Sequence, residues 1–111
     1  MKIGIGIGEL SGKPVPLEGV LKQAEAAEAD GFAAAWVPQI FGLEAITVCA
    51  LAGARTSRIE IGTAVVPSYP RHPTVMAQQA LTANVACGGR LTLGLGLSHP
   101  LVIENILGLS Y

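Results

Sequence analysis

Charged side chains are scarce in this chain. Asp, Glu, Lys and Arg make up 14% of it, where a soluble domain usually carries about a quarter. Half of the residues are hydrophobic and the mean hydropathy is +0.52, so either something covers much of the surface or the chain lies in a membrane. Long apolar runs are missing too. Stretches such as Val48–Ala52 and Gly31–Pro38 fall far short of the ~20 residues that span a bilayer. No basic segment leads into an apolar run at the start, so a secretory signal is not expected. A covered surface is the expectation that remains.

Aromatics are only 5%, the net charge is −1, and no basic stripe occurs, which leaves nucleic-acid binding without support. Cysteine is limited to Cys49 and Cys87. They are far apart, form no CxxC pair and have no metal-ligand spacing. They read as reduced, buried small hydrophobes of a cytoplasmic protein.

The 111 residues amount to one domain at most. That is enough for a two-layer α/β core and too few for a closed eight-stranded parallel barrel, which takes ~250.

What is present is alternation. Lys2–Gly8 sets Ile3, Ile5 and Ile7 against Gly4, Gly6 and Gly8, the period of a strand. Pro16 can open a helix, in which Leu17, Val20, Leu21, Ala24 and Ala27 recur until Asp30-Gly31 stops it. Phe32–Val37 reads as a buried strand ended by Pro38. Leu43, Ile46, Ala50 and Gly53 mark a second helix, and Ile59–Val66 a third strand. Pro67–Pro73 is a loop by its prolines. Met76, Ala80, Ala83 and Cys87 form one face of a third helix ended by Gly88-Gly89. Leu91–Leu97 then repeats the first pattern, with Leu91, Leu93, Leu95 and Leu97 opposite Thr92, Gly94, Gly96 and Ser98. The order β-α-β-α-β-α-β predicts a parallel sheet with right-handed crossovers and packed helices.

An open doubly wound sheet needs central strands that are bulky on both faces. Here the first and fourth strands are aliphatic on one face and bare on the other. A barrel wall explains this, with the aliphatic face against helices and the glycine face inward. Two reasons for the glycines stay open: tight packing against large neighbours, or room for a flat ring. The dinucleotide alternative fails at fixed positions. GxGxxG would need glycine at position 9 or 11, where Glu9 and Ser11 stand. The helix starts too late to hold a pyrophosphate, and no acidic residue ends the second strand.

From Arg58 to Leu109 the chain reads RIEIGTAVVPSYPRHPTVMAQQALTANVACGGRLTLGLGLSHPLVIENILGL. A strand ending Gly-Thr-x-Val, a proline loop ending His-Pro, an Ala/Gln-rich helix, Gly-Gly-Arg and a Leu-Gly-x-Gly strand follow in order. This resembles the bacterial luciferase-like superfamily, and its coenzyme F420-dependent branch most closely. The resemblance implies the N-terminal half of a (β/α)8 barrel. It also implies a deazaflavin (F420) or, alternatively, FMN ring at the C-terminal ends of the strands. The ring would be backed by a bulge with a non-prolyl cis peptide, here Ala64–Val65, and flanked by Gly96, Leu97, Ser98 and His99. Relatives often place a carboxylate near His99 and an Asp-His pair where this chain has Pro38-Gln39, so Gln39 takes that place at the ring.

His99 is the candidate catalytic residue, since an imidazole can donate to a reduced ring or protonate a substrate. Alternatively it caps a helix beginning around Pro100. His72, before Pro73, is expected to cap. Trp36 and Tyr69 line a pocket or pack in core and loop. Glu9 points to the same rim or is a solvated charge, and Arg55 and Arg58 are surface charges. The implied activity is hydride transfer to or from a small organic substrate, with an FMN-dependent monooxygenase as the alternative. In a different class, the chain is a non-catalytic half-barrel. Three structural expectations follow. Ala64–Val66 and Gly96–His99 should meet within about 10 Å, two strand spacings. The Ala64–Val65 bond should be cis. And a half-barrel should either be part of a longer protein or self-associate, as a homo-oligomer of two halves.

Overall fold

The computed structural model describes all residues, Met1–Tyr111. Its elements run β1 (Gly4–Gly6), α1 (Leu17–Ala29), β2 (Ala34–Val37), α2 (Ala45–Ala54), β3 (Glu60–Thr63), β4 (Val66–Pro67), α3 (Pro73–Ala86), β5 (Leu91–Thr92), β6 (Leu95–Gly96) and one π-helical turn, Leu101–Ile106. The main sheet is parallel in the order β1-β2-β3-β5, and β4 pairs with β6, also in parallel. Strands therefore follow one another in chain order with no reversal, the arrangement of a barrel wall. A doubly wound sheet reverses at a switch point. One core of 18 buried residues draws on all three helices, so the helices share one face of the sheet.

Each helix has a local cause. Pro16 sits before the first turn of α1, and Val20, Leu21, Ala24 and Ala27 are its buried face. The second helix starts later than its apolar pattern suggests. Leu43 lies outside it and is exposed. Glu44 is the cap, its carboxylate accepting from Ile46 N at 2.5 Å and Thr47 N at 3.1 Å. His72 caps α3 as expected, its Nδ1 accepting from Thr74 N at 3.1 Å ahead of Pro73. Val37, Ile46, Cys49, Ile59, Ile61 and Cys87 are sealed between sheet and helices.

The opposite face of the sheet shows what the glycines of the first strand are for. Trp36 stands in register between Gly6 on β1 and Gly62 on β3. A Cβ on Gly4 would lie 2.6 Å from Trp36 Nε1, and one on Gly62 would meet the far side of the same indole. A Cβ on Gly6 would strike Leu10. Here tight packing against large neighbours is the answer, and Trp36 fills the inward face.

Two strands expected to be continuous are each broken. Ile59–Val66 splits into β3 and β4, and Leu91–Leu97 into β5 and β6. In β3–β5 the partners Ile61↔Leu91 and Gly62↔Thr92 differ by 30, while in β4–β6 Val66↔Leu95 and Pro67↔Gly96 differ by 29. Three residues (63, 64 and 65) thus oppose two (93 and 94), which is a β-bulge with one extra residue. The Ala64–Val65 peptide within it is cis. Thr63, 1% exposed, bridges the break. Its hydroxyl donates to Gly94 O at 2.9 Å and accepts from Gly94 N at 2.8 Å. That replaces the ladder contacts the extra residue interrupts, and explains why a threonine rather than a valine closes β3.

Polar contacts brace the end of the barrel wall away from the bulge. Glu28 accepts from the N–H groups of Ser57, Arg58 and Ile59 at 3.0, 2.8 and 3.0 Å. The Arg58 N–H contributes most, and against the opposing cost of burial these bonds hold its carboxyl down from 4.5 to about 2. A depressed folded-state value means the stabilisation is full above the unfolded value and disappears as pH falls through the folded one. Denaturant melts should therefore show wild type losing stability between about pH 5 and pH 2 more steeply than Glu28→Gln. Equal pH slopes would remove this assignment. Arg55 is a surface charge as expected, exposed and ion-paired with Glu18 at 2.7 Å and Glu25 at 3.2 Å.

Candidate active site at the C-terminal rim

Parallel strands all end at one edge, so the loops that follow them converge there. At that edge a cavity of about 470 Å³ is lined by Gln39, Ile40 and Phe41 after β2, Val65, Pro67 and Pro70 around β4, Ser98 and His99 after β6, and Val102, Ile103 and Leu107 from the π-helical turn and its exit. The size and the largely apolar lining with a few polar groups are those of a small-molecule site.

The bulge makes its back wall. With one residue extra, Val65 is pushed out of the sheet and is 45% exposed, an apolar side chain turned to the cavity. It rests on glycines. A Cβ at Gly96 would lie 2.5 Å from Val65 Cγ2, and one at Gly94 would run into the Thr63 carbonyl oxygen. The glycines of the fourth strand thus make room for the bulge, a reason different from those of the first. Val66 N donates to Gly94 O at 2.9 Å and Ser68 N to Gly96 O at 3.0 Å, so the bulge and the Gly96–His99 segment meet as expected.

Ser98 has φ +59°, a left-handed conformation costly for a residue with a side chain. It turns the chain from β6 into the segment that closes the cavity. His99 follows, exposed and on the wall. Its side chain caps nothing: the turn beginning at Leu101 has no side-chain cap, and only the His99 backbone carbonyl is used, accepting from Ile103 N at 3.0 Å. Tyr69 stacks on Tyr111 with centroids 4.9 Å apart, and the Tyr111 hydroxyl donates to Ser98 O at 3.4 Å.

Of the seven residues singled out from the sequence, Gln39, Val65, Ser98 and His99 line the cavity and Gly96 supports it from behind. Ala64 and Leu97 do not line it, although both are exposed. Glu9 faces Gly42 and a separate small recess with Val15, Pro38 and Leu43. Trp36 belongs to the inward sheet face. Sequence reading missed Ile40, Phe41, Val102 and Leu107, which carry no periodic signal at the rim.

It also missed Arg71, whose side chain is 15% exposed. The guanidinium donates to Gln79 Oε1 at 2.9 Å and Gln39 Oε1 at 3.3 Å, and pairs with Glu44 at 3.4 Å. Burial alone would raise the Glu44 carboxyl. The Thr47 hydroxyl, the helix N–H groups and Arg71 outweigh it and hold the carboxyl low.

Residues 2–111 match the family model described as luciferase-like monooxygenase. The chain belongs to that family. Within the luciferase-like proteins, it is 37% identical over 108 residues to a protein named as a coenzyme F420-dependent oxidoreductase from Mycobacterium tuberculosis, covering 97% of this chain and 30% of that one. Among solved structures, it superposes on a coenzyme F420-dependent tetrahydromethanopterin reductase from Methanopyrus kandleri with TM-score 0.83 and 25% identity, over 99% of this chain and 30% of the reductase. The monooxygenase RslO1 from Streptomyces bottropensis shares the fold at TM-score 0.84 and 24% identity, over 99% and 37%. The chain therefore spans about a third of the length of these relatives. It corresponds to part of a luciferase-like barrel, as its four-stranded wall indicates. No helix is long and apolar enough to cross a membrane.

Proposed function

We propose that this chain carries the ring-binding wall of an oxidoreductase that uses F420, or alternatively FMN, to transfer hydride to or from a small organic substrate. The observation that carries the reading is the Val65 shelf. It is an apolar surface held forward by a bulge, seated on two glycines and flanked by Gln39, Ser98 and His99. A flat heteroaromatic ring fits such a shelf, because one face needs dispersion contact while the edges need hydrogen bonds. When bound, the ring supplies the two-electron chemistry.

The chain's own residues do the rest. Val65 would offer its apolar side chain to a bound ring, and Ile40, Phe41, Val102 and Leu107 would help keep water from the cavity. His99, the catalytic candidate, lines the same cavity, and its imidazole would hold or pass a proton for the ring or the substrate. The relative named as F420-dependent supports the deazaflavin over FMN.

Fluorescence titration of the chain with F420 and with FMN is the test. Saturable binding of one of them is expected, and Val65→Arg should abolish it with little change in melting temperature. If wild type binds neither, the non-catalytic half-barrel takes the place of this reading. Ile3, Leu95 and Leu97 are more than half exposed, and β1 and β5 are edge strands. We take these edges to be met by further barrel strands, from a longer protein or from a second copy. Sedimentation velocity on the 111-residue chain should show self-association, and a compact monomer at all concentrations would count against the second copy.

A further inference from the structure

The carboxamide of Gln39 is fixed by what surrounds it. Its Oε1 accepts from Ala45 N at 3.0 Å, the first turn of α2, and from Arg71 Nη2 at 3.3 Å. Two donors converge on one atom of the amide, so that atom has to be the oxygen. The oxygen's capacity is then used up. The other end, Nε2, has no partner within the protein, yet it is not sealed in, since no buried side-chain nitrogen or oxygen lacks a partner. Gln39 lines the cavity, so the two free N–H bonds are what it has to offer there.

Arg71 shares the fixing of this polarity with the Ala45 N–H. It links three parts of the rim: Gln39 ahead of α2, the Glu44 cap, and Gln79 on α3. Its planar fork reaches all three at once, which a point-charge ammonium cannot. Without the guanidinium, one of the two donors that orient the amide is gone, and rotation by half a turn would expose an acceptor instead.

We propose that Arg71 is a positioning residue that holds Gln39 with its amide N–H groups toward the cavity, where they donate to a carbonyl oxygen at the edge of the bound ring. This rests on the ring-binding reading above. It adds that the rim is a fixed donor to neutral acceptors, with the arginine's charge already met by Glu44.

The deciding variant is Gln39→Glu, which keeps an oxygen for Ala45 N and Arg71 but has no N–H to donate. At pH 7, titration with whichever of F420 or FMN wild type binds should show affinity at least tenfold weaker, with a melting temperature not below wild type. The absorption shift of the bound ligand, a signature of donation to a ring carbonyl, should shrink. Arg71→Met should weaken binding and shrink the same shift, and Arg71→Lys should restore part of each. Gln39→Glu binding within twofold of wild type, with an unchanged bound spectrum, would overturn the donor role. Arg71→Met that melts lower but binds with the wild-type spectrum would reduce Arg71 to a structural tie. A wild-type chain that binds neither ligand removes the ring-binding reading and this inference with it, a result distinct from the other two.

Discussion

Gly94→Ala should lower stability by about 2–3 kcal/mol, the upper part of the ~1–3 kcal/mol that overpacking usually costs. The added Cβ would run into the Thr63 carbonyl oxygen. That obstacle is backbone, in the one residue whose hydroxyl holds both polar groups of Gly94, so no rotamer change can relieve it. Gly96→Ala makes the informative contrast. Its Cβ would meet Val65 Cγ2, the end of a half-exposed side chain that can turn away, so its stability cost should be under about 1 kcal/mol. Its effect should fall on ligand affinity, since the shelf itself is displaced. Urea unfolding and ligand titration of both variants would check this. Equal stability losses for the two would show that the fourth-strand glycines are not serving the bulge.

Arg90→Met should be at least as damaging, at about 3–4 kcal/mol from several lost charge-assisted bonds. The guanidinium donates to Ile59 O at 2.7 Å, Gly53 O at 2.8 Å, Thr56 O at 2.9 Å and Thr56 Oγ1 at 3.0 Å. It thereby joins the end of α2, the entry to β3 and the entry to β5. These carbonyls belong to the α2 exit and the strand start, where the arginine is their charged donor. The methylene stem is kept in the methionine variant, so the loss reports the polar head. Arg90→Lys should recover less than half, because three carbonyls in different directions suit a fork and not a point. For a domain of this size, about 3 kcal/mol corresponds to a melting point lower by roughly 10–20 °C. A drop of only a few degrees would mean that water replaces the arginine without loss.

The element order and the helix faces were legible because they follow from short-range periodicity. Pro16, Val20, Leu21, Ala24 and Ala27 announce α1, and the glycine–isoleucine alternation announces β1. The bulge was not legible in that way. Ile59–Val66 is rich in β-branched residues and reads as one strand. Only the register change between the ladder at Ile61–Gly62 and the one at Val66–Pro67 reveals the extra residue. The motif resemblance supplied what periodicity could not: the cis Ala64–Val65 bond and the meeting of Val65 with Ser98 and His99.

The role of Arg71 escaped for a different reason. Its partners Gln39, Glu44 and Gln79 lie on three separate elements, and a contact of that kind leaves no local pattern. The cavity-closing residues Val102 and Leu107 were likewise invisible, since nothing in HPLVIENILGL distinguishes a π-helical turn from an ordinary one. For the glycines, composition raised the right question, and each strand turned out to have its own answer. Trp36 accounts for Gly4 and Leu10 for Gly6 in β1, and the outward step of Val65 for Gly94 and Gly96.

A strand register is an integer. The change from 30 to 29 between the two ladders cannot be reached by degrees, as a pocket can be widened one methyl at a time. Any chain built on this wall has the extra residue and a shelf, or lacks it and has a smooth sheet edge there. Lining residues such as Phe41 or Val102 are free to drift and retune what the cavity accepts. The seat beneath them is inherited whole.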